Sequence, residues 1–476
     1  DHGNTKDKYS YAKRLVDLLM PLCDVYSGNY FGFYLDISRV VDIIMRFNFS
    51  GEISVVEDKL NDVIASAMSK REYSWISRLS SLLHYLSYQH KQKQIKQSSI
   101  DQIIHYLSQI MEQYADERNL EIFVNASLEL IKWYKAEKFS DDDINKVLIG
   151  IGEAYEVESC YQGGRKEKSH FVKAHFLEKA VQHYINIGEN SRIPKLKLEI
   201  KEAYKQAGKA EIKEVSTGFD ISTETINAEI DKFRSDNIEE SLQLLSRTNY
   251  FLPIKDNIIQ VTREIDKEAV LTKLLNVQFV YGDRKVFQSE SEEETFKVNF
   301  YRTYDLELQI KFGVFYDAVW EALLKNGLRA NHAIDRITSW QYMNNDSRFI
   351  VEQGVLRMFD EDYISAIHIL VPRFENCFRE FFECGGYPTT SIKSKTVQHE
   401  QNFNDFIRND FVKSNICDDL LFFISFVMLD DLGYNLRNNV AHGLSTLEQF
   451  NRVTALIVLY LFFLLTNLEW TSSNTV

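Results

Sequence analysis

A chain of 476 residues is long enough for several domains, and its five prolines and nineteen glycines are too few for many-stranded sheets, so long helices are expected. A net charge of −14 excludes a general electrostatic footprint for nucleic acid. Five scattered cysteines, odd in number and without a C-x-x-C pair, exclude a disulfide framework or zinc site and point to reduced thiols in the cytoplasm, as does the lack of a secretory signal.

Residues 9–246 carry apolar side chains at three- and four-residue spacing in successive blocks. These predict amphipathic helices over 11–22, 36–47, 55–69, 75–88, 100–114, 120–133 and 143–156, joined by short polar turns. Segments 174–188 and 195–208 follow and resemble a tetratricopeptide helix pair. The expectation for residues 1–245 is a solenoid-like helical array, whose concave surface would bind a protein partner or sense a trigger. Two basic tracts stand out in it, 90–96 and the lysines at 195, 197, 201, 205, 209 and 213. Solvated helix faces explain both, and they are also where RNA would be gripped outside a catalytic domain.

Residues 246–345 form a connecting helical region. The array ends with helices predicted over 222–233 and 238–245, and the connecting region opens with one over 257–275, then a β-hairpin near 277–287, where β-branched and aromatic residues flank Gly282 and Asp283. Ser289 to Glu294 is expected as a solvated acidic loop, followed by helices 304–325, 330–342 and 348–358.

Residues 346–476 form the last domain, with helices predicted over 363–383, 398–411, 418–432 and 447–469, enough for a four-helix bundle with antiparallel neighbours. Residues 455–468 are almost uniformly apolar but shorter than the roughly 20 residues that a bilayer span requires, so a buried bundle helix is expected and no membrane. From Val351 onwards there are nine Lys/Arg against sixteen Asp/Glu, a local charge of about −7.

The most informative stretch is Arg437-Asn438-Asn439-Val440-Ala441-His442-Gly443, a short polar junction between two apolar segments. Metal-free cleavage of RNA needs a base for the 2'-hydroxyl, an acid for the leaving 5'-oxygen and a cation at the phosphorane. Histidine can act as acid or base at neutral pH, and arginine is a planar, permanent cation suited to the charged oxygens. Arg437 and His442 therefore cover two of these tasks, and a symmetry mate would supply the third, which points to a homodimer. On a continuous α-helix, five residues of separation would put the two side chains about 140° apart, so a non-helical turn or convergence across a dimer axis is required. Asn435 and Asn438 either orient the imidazole and bind phosphate oxygens or serve as helix N-caps. Glu375 either holds Arg437 or His442 by a charge-assisted hydrogen bond or is an ordinary surface glutamate. Asp430 and Asp431, without neighbouring His or Cys, make no metal site. Phosphate-loop, dinucleotide and serine-hydrolase fingerprints are absent from the sequence.

The spacing of Arg437 and His442 resembles the R-x(4–6)-H signature of the HEPN superfamily. The longer string from Gly433 to Gly443 is similar to G-x-N-x-R-N-x-x-A-H-G, carried by a HEPN branch of unknown function, and Leu370, Pro372, Glu375 and Arg379 resemble its L-x-P-x-x-E-x-x-x-R helix element. The match covers roughly the last quarter of the chain. It implies an all-α bundle that dimerises into a composite cleft, metal-independent endoribonuclease activity without a cofactor, and a role as toxin or effector in phage defence. On this resemblance the catalytic residues are Arg437, His442 and Asn438, with Glu375, Asn435 and Arg379 in support. Leu444 stands where a toxin–antitoxin subtype carries a tyrosine, so that subtype is not indicated. The expected fold is all-α: a solenoid-like array, one short hairpin, and a C-terminal HEPN-like four-helix bundle. The alternative function is a non-catalytic scaffold that dimerises and binds a protein.

Overall fold

The computed structural model describes residues 5–25, 28–88, 95–117, 119–165, 169–211, 220–268, 277–394 and 397–470. Helices account for 76% of the structure, with a short antiparallel hairpin at 278–288, so the all-α expectation holds. The chain divides into two compact units, residues 1–213 and 214–476.

The first unit is a run of helices: α1 (Thr5–Val25), α2 (Tyr30–Phe47), α3 (Ile53–Ser69), α4 (Tyr73–Tyr88), α5 (Gln97–Glu117), α6 (Leu120–Ala136), α7 (Asp141–Gly164), α8 (His170–Ile187) and α9 (Ile193–Ala210). Most pack on their neighbours in sequence, as in a helical array. The side chains of Asn29, Asn119, Ser140 and Ser169 accept a backbone N–H of the first turn and start α2, α6, α7 and α8. Two buried polar side chains tie helices together: Trp133 Nε1 donates to Ser80 Oγ at 2.8 Å, and Glu57 accepts from Ser99 Oγ at 2.6 Å and Lys96 N at 2.9 Å. Most of the basic tract 90–96 lies outside the described residues, as does Lys213.

The second unit begins with α10 (Thr223–Asp231), α11 (Ile238–Ser246) and α12 (Lys255–Glu268), then the hairpin β1 (Gln278–Tyr281) and β2 (Arg284–Gln288). Tyr281 pairs with Arg284 across a turn where Gly282 sits at φ +60°. Residues 269–275 of the predicted helix 257–275 lie outside the described residues. Next come α13 (Glu292–Ile310), α14 (Asp317–Lys325), α15 (Ala330–Thr338), α16 (Asn345–Phe359) and α17 (Tyr363–Cys384). A second hairpin, β3 (Thr390–Ser394) with β4 (Val397–Glu400), precedes α18 (Phe403–Ile407), α19 (Asp410–Asn415), α20 (Asp418–Met428), α21 (Leu436–Ala441) and α22 (Arg452–Leu465).

Several local expectations are corrected. The acidic stretch at Ser289–Glu294 is exposed from Glu290 to Glu293, as expected, but it is a loop only as far as Ser291. Ser289 is buried and its Oγ accepts from Val277 N at 2.7 Å, while Ser291 caps α13, whose first turn is Glu292, Glu293 and Glu294. Carboxylates are favoured there by the helix dipole. The helix predicted from 304 starts twelve residues earlier and passes through a π-helical stretch at Lys311–Tyr316 before α14. The helix predicted over 398–411 is instead β4 and two short helices, because Asn402 and Asn409 each restart the chain by capping. The helix predicted to 432 stops at Met428, and α22 starts at Arg452, where Asn451 accepts from Thr454 N.

One continuous core runs from Phe233 to Leu465. Phe374, Phe378 and Phe382, four residues apart on α17, are fully buried. Residues 454–465 of α22 are buried on every side, which explains its uniform apolarity without a bilayer. Among the described residues no helix is long and apolar enough to cross a membrane.

Candidate functional site

The site is built where α21 lies against α17. Glu375, mostly buried on α17, joins two guanidiniums. Its Oε2 accepts from Arg437 Nε at 2.8 Å, and its Oε1 accepts from Arg379 Nη2 at 2.8 Å. Glu375 and Arg379 are one helical turn apart, so α17 aligns them before α21 arrives. Arg379 is buried, donates to the Gln401 carbonyl at 2.7 Å, and lies over the rings of Phe403 and Phe406, 5.4 and 5.2 Å from their centroids. One carboxylate between two guanidiniums leaves the trio with a net positive charge. Glu400 approaches only the far side, 3.9 Å from Arg379 Nη1.

Arg437 is held at a second point, where Nη1 donates to Asn438 Oδ1 at 2.8 Å. Asn438 Nδ2 donates to Asn435 Oδ1 at 2.7 Å, and Asn435 Nδ2 to Asp431 Oδ1 at 2.8 Å. The asparagines are therefore links in a chain of hydrogen bonds. Asn435 occupies the N-cap position of α21 but its side chain caps nothing, and it adopts the left-handed conformation at φ 48°, which asparagine tolerates. With Nε and Nη1 engaged, Arg437 Nη2 is the donor left without a partner among the described residues, on a side chain that is 28% exposed.

The junction itself is helical. Residues 436–441 form α21 with His442 as its C-cap, so the expected non-helical turn is not there, and the two side chains diverge by about 140° around the axis. No hydrogen bond joins Arg437 to His442, and Glu375 holds the arginine. Gly443, at φ +64°, closes a Schellman motif: Leu444 N donates to Asn439 O at 2.7 Å and Gly443 N to Val440 O at 3.3 Å. Gly433 is needed for close approach, because a Cβ there would stand 2.2 Å from the Phe426 carbonyl oxygen.

Leu370 and Asn439 of the motif are structural too. Leu370 is fully buried and packs against Gly354 of α16. Buried Asn439 donates to Tyr434 O at 3.1 Å and ties α21 to the turn before it. His442 is the exception: its ring is exposed and has no hydrogen bond, ion pair or ring contact among the described residues.

No spacing or motif in the sequence marks the floor beneath this turn. Tyr301 donates to Asp430 Oδ2 at 2.8 Å, and Gln309 donates to the Tyr434 hydroxyl at 2.8 Å, both from α13 more than a hundred residues upstream. Burial pushes the carboxyls of Asp430 and Asp305 above their ordinary range and the Tyr434 hydroxyl well above its own. Asp430 thus anchors the turn. Among the described residues no three His, Cys, Asp or Glu side chains are grouped to hold a metal ion. Comparison with known protein families, curated proteins and solved structures finds no match for this chain.

Proposed function

We propose that this protein is a metal-independent endoribonuclease of the HEPN type that acts in the cytoplasm as a toxin or effector of anti-phage defence. The observation that carries the reading is His442. The other polar and charged positions of its motif, Glu375, Arg379, Asn435, Arg437, Asn438 and Asn439, are engaged inside the fold, whereas this imidazole is exposed and unpartnered among the described residues at the end of α21. A side chain with no structural task, five residues from a guanidinium braced at two points, is available for substrate.

In the proposed reaction one histidine takes the 2'-hydroxyl proton, the 2'-oxygen attacks phosphorus, and a second histidine protonates the departing 5'-oxygen. Arg437 Nη2 faces the charge that develops on the non-bridging oxygens. The products are a 2',3'-cyclic phosphate and a 5'-hydroxyl. Because Arg437 and His442 point apart on one helix, the cleft is completed by a second copy through the C-terminal bundle.

The test is incubation of wild type and His442→Ala with total RNA and tRNA in EDTA, with mapping of the new ends. Cleavage by wild type alone, leaving cyclic phosphates, is expected. Equal cleavage by both proteins, or by neither, would count against the nuclease. The second reading, a non-catalytic dimeric scaffold that binds a protein, is favoured by the charge of about −7 from Val351 onwards, which repels a polyanion.

A further inference from the structure

The first helix is apolar on two faces. Ala12, Val16, Leu19 and Cys23 are buried, and α1 packs on α2. On another face Tyr11, Leu15, Leu18, Leu22 and Val25 recur at intervals of four, three, four and three residues, and they are 72%, 45%, 61%, 43% and 74% exposed. No other helix among the described residues carries more than two exposed large apolar side chains.

The alternation of three and four is the heptad spacing of a coiled-coil seam, in which each stripe packs against another of the same period. A stripe of this kind is complementary to itself, which suits the two-fold symmetry of most homodimers. It runs about 21 Å along the helix. The area it leaves in water is on the order of 500 Å² per chain, so pairing two copies would bury about 1,000 Å², which reaches the lower bound for a specific interface. The charges on one edge point the same way. Asp17 is paired with Lys13 at 3.1 Å and Asp24 with Lys59, whereas Arg14 has no ion pair among the described residues. An antiparallel mate centred on Leu18 brings its Asp24 end alongside Arg14.

We infer that α1 is a self-association surface, through which two copies of this chain pair as an antiparallel two-helix seam. The inference rests only on residues 5–25 and is independent of the nuclease reading and of any contact in the C-terminal bundle.

Oxidative cross-linking of the full chain tests it, with the wild-type protein as the background from its own cysteines. Leu18→Cys, at the two-fold centre, should give a covalent dimer, and adding Leu15→Glu should abolish it while far-UV circular dichroism stays unchanged. A mixture of Tyr11→Cys and Val25→Cys chains should cross-link, and neither should do so alone. Failure of Leu18→Cys to cross-link above background would overturn the proposal and leave the stripe to another protein or another segment. Cross-linking of Tyr11→Cys alone would overturn the antiparallel arrangement.

Discussion

Replacing Glu375 by alanine should expose how far the site depends on one carboxylate. In the native protein the Glu375 side chain is 17% exposed and that of Arg379 10%, so deleting the acid strands a nearly buried guanidinium beside a second one. Removing one partner of a buried pair costs about 3–5 kcal/mol. Here Arg379 keeps the Gln401 carbonyl and two aromatic faces, and Arg437 keeps Asn438 and is partly solvated. The lower end, about 3 kcal/mol, is therefore expected. At about 2–4 °C per kcal/mol for a unit of this size, the transition should fall by about 6–12 °C. Glu375→Gln retains the shape and one acceptor, and should lose roughly half as much. Urea titration followed by circular dichroism measures the change, and a double-mutant cycle with Arg437→Ala isolates the pair. The arginine substitution should cost much less once the acid is gone. A loss below about 1 kcal/mol for Glu375→Ala, or strict additivity in the cycle, would refute the claim that this carboxylate organises the two arginines.

By contrast, His442→Ala removes no contact among the described residues and should leave the unfolding midpoint within about 0.5 kcal/mol of wild type, so that any loss of RNA cleavage reports on chemistry. Gly433→Ala drives a methyl group into the Phe426 carbonyl and should cost at least the 1–3 kcal/mol typical of overpacking; an unchanged thermal midpoint would contradict the packing described. Asp430 has its carboxyl raised by burial, so the stability it contributes is present below the unfolded value near 4 and is lost as pH rises through the folded value. Asp430→Asn, which keeps an acceptor for Tyr301, should therefore gain in urea midpoint over wild type at pH 7 and show little gain at pH 4. An equal difference at both pH values would exclude the titration as the cause.

Much of this protein is local in origin. Three- and four-residue apolar spacing marks nearly all of the helices of the first unit, and the clustering of Val277, Phe279, Val280 and Tyr281 before Gly282 marks the first hairpin, because these patterns depend on periods that a short segment already contains. Residue type alone leaves open whether Glu375 pairs with Arg437, with His442 or with neither. Local cues also misled: the acids of Glu292–Glu294 look like a loop until Ser291 is seen to cap them, and the run 398–411 hides two asparagine caps. The course of the chain through the motif depended on distant contacts. Gly433 must pass the Phe426 carbonyl, Tyr301 and Gln309 hold the turn from α13, and Glu375 selects Arg437 over His442 from α17. A hydrogen bond across 62 or 129 residues leaves no trace in the spacing of either segment, since its partners become neighbours only when the core of Phe374, Phe378 and α22 has closed.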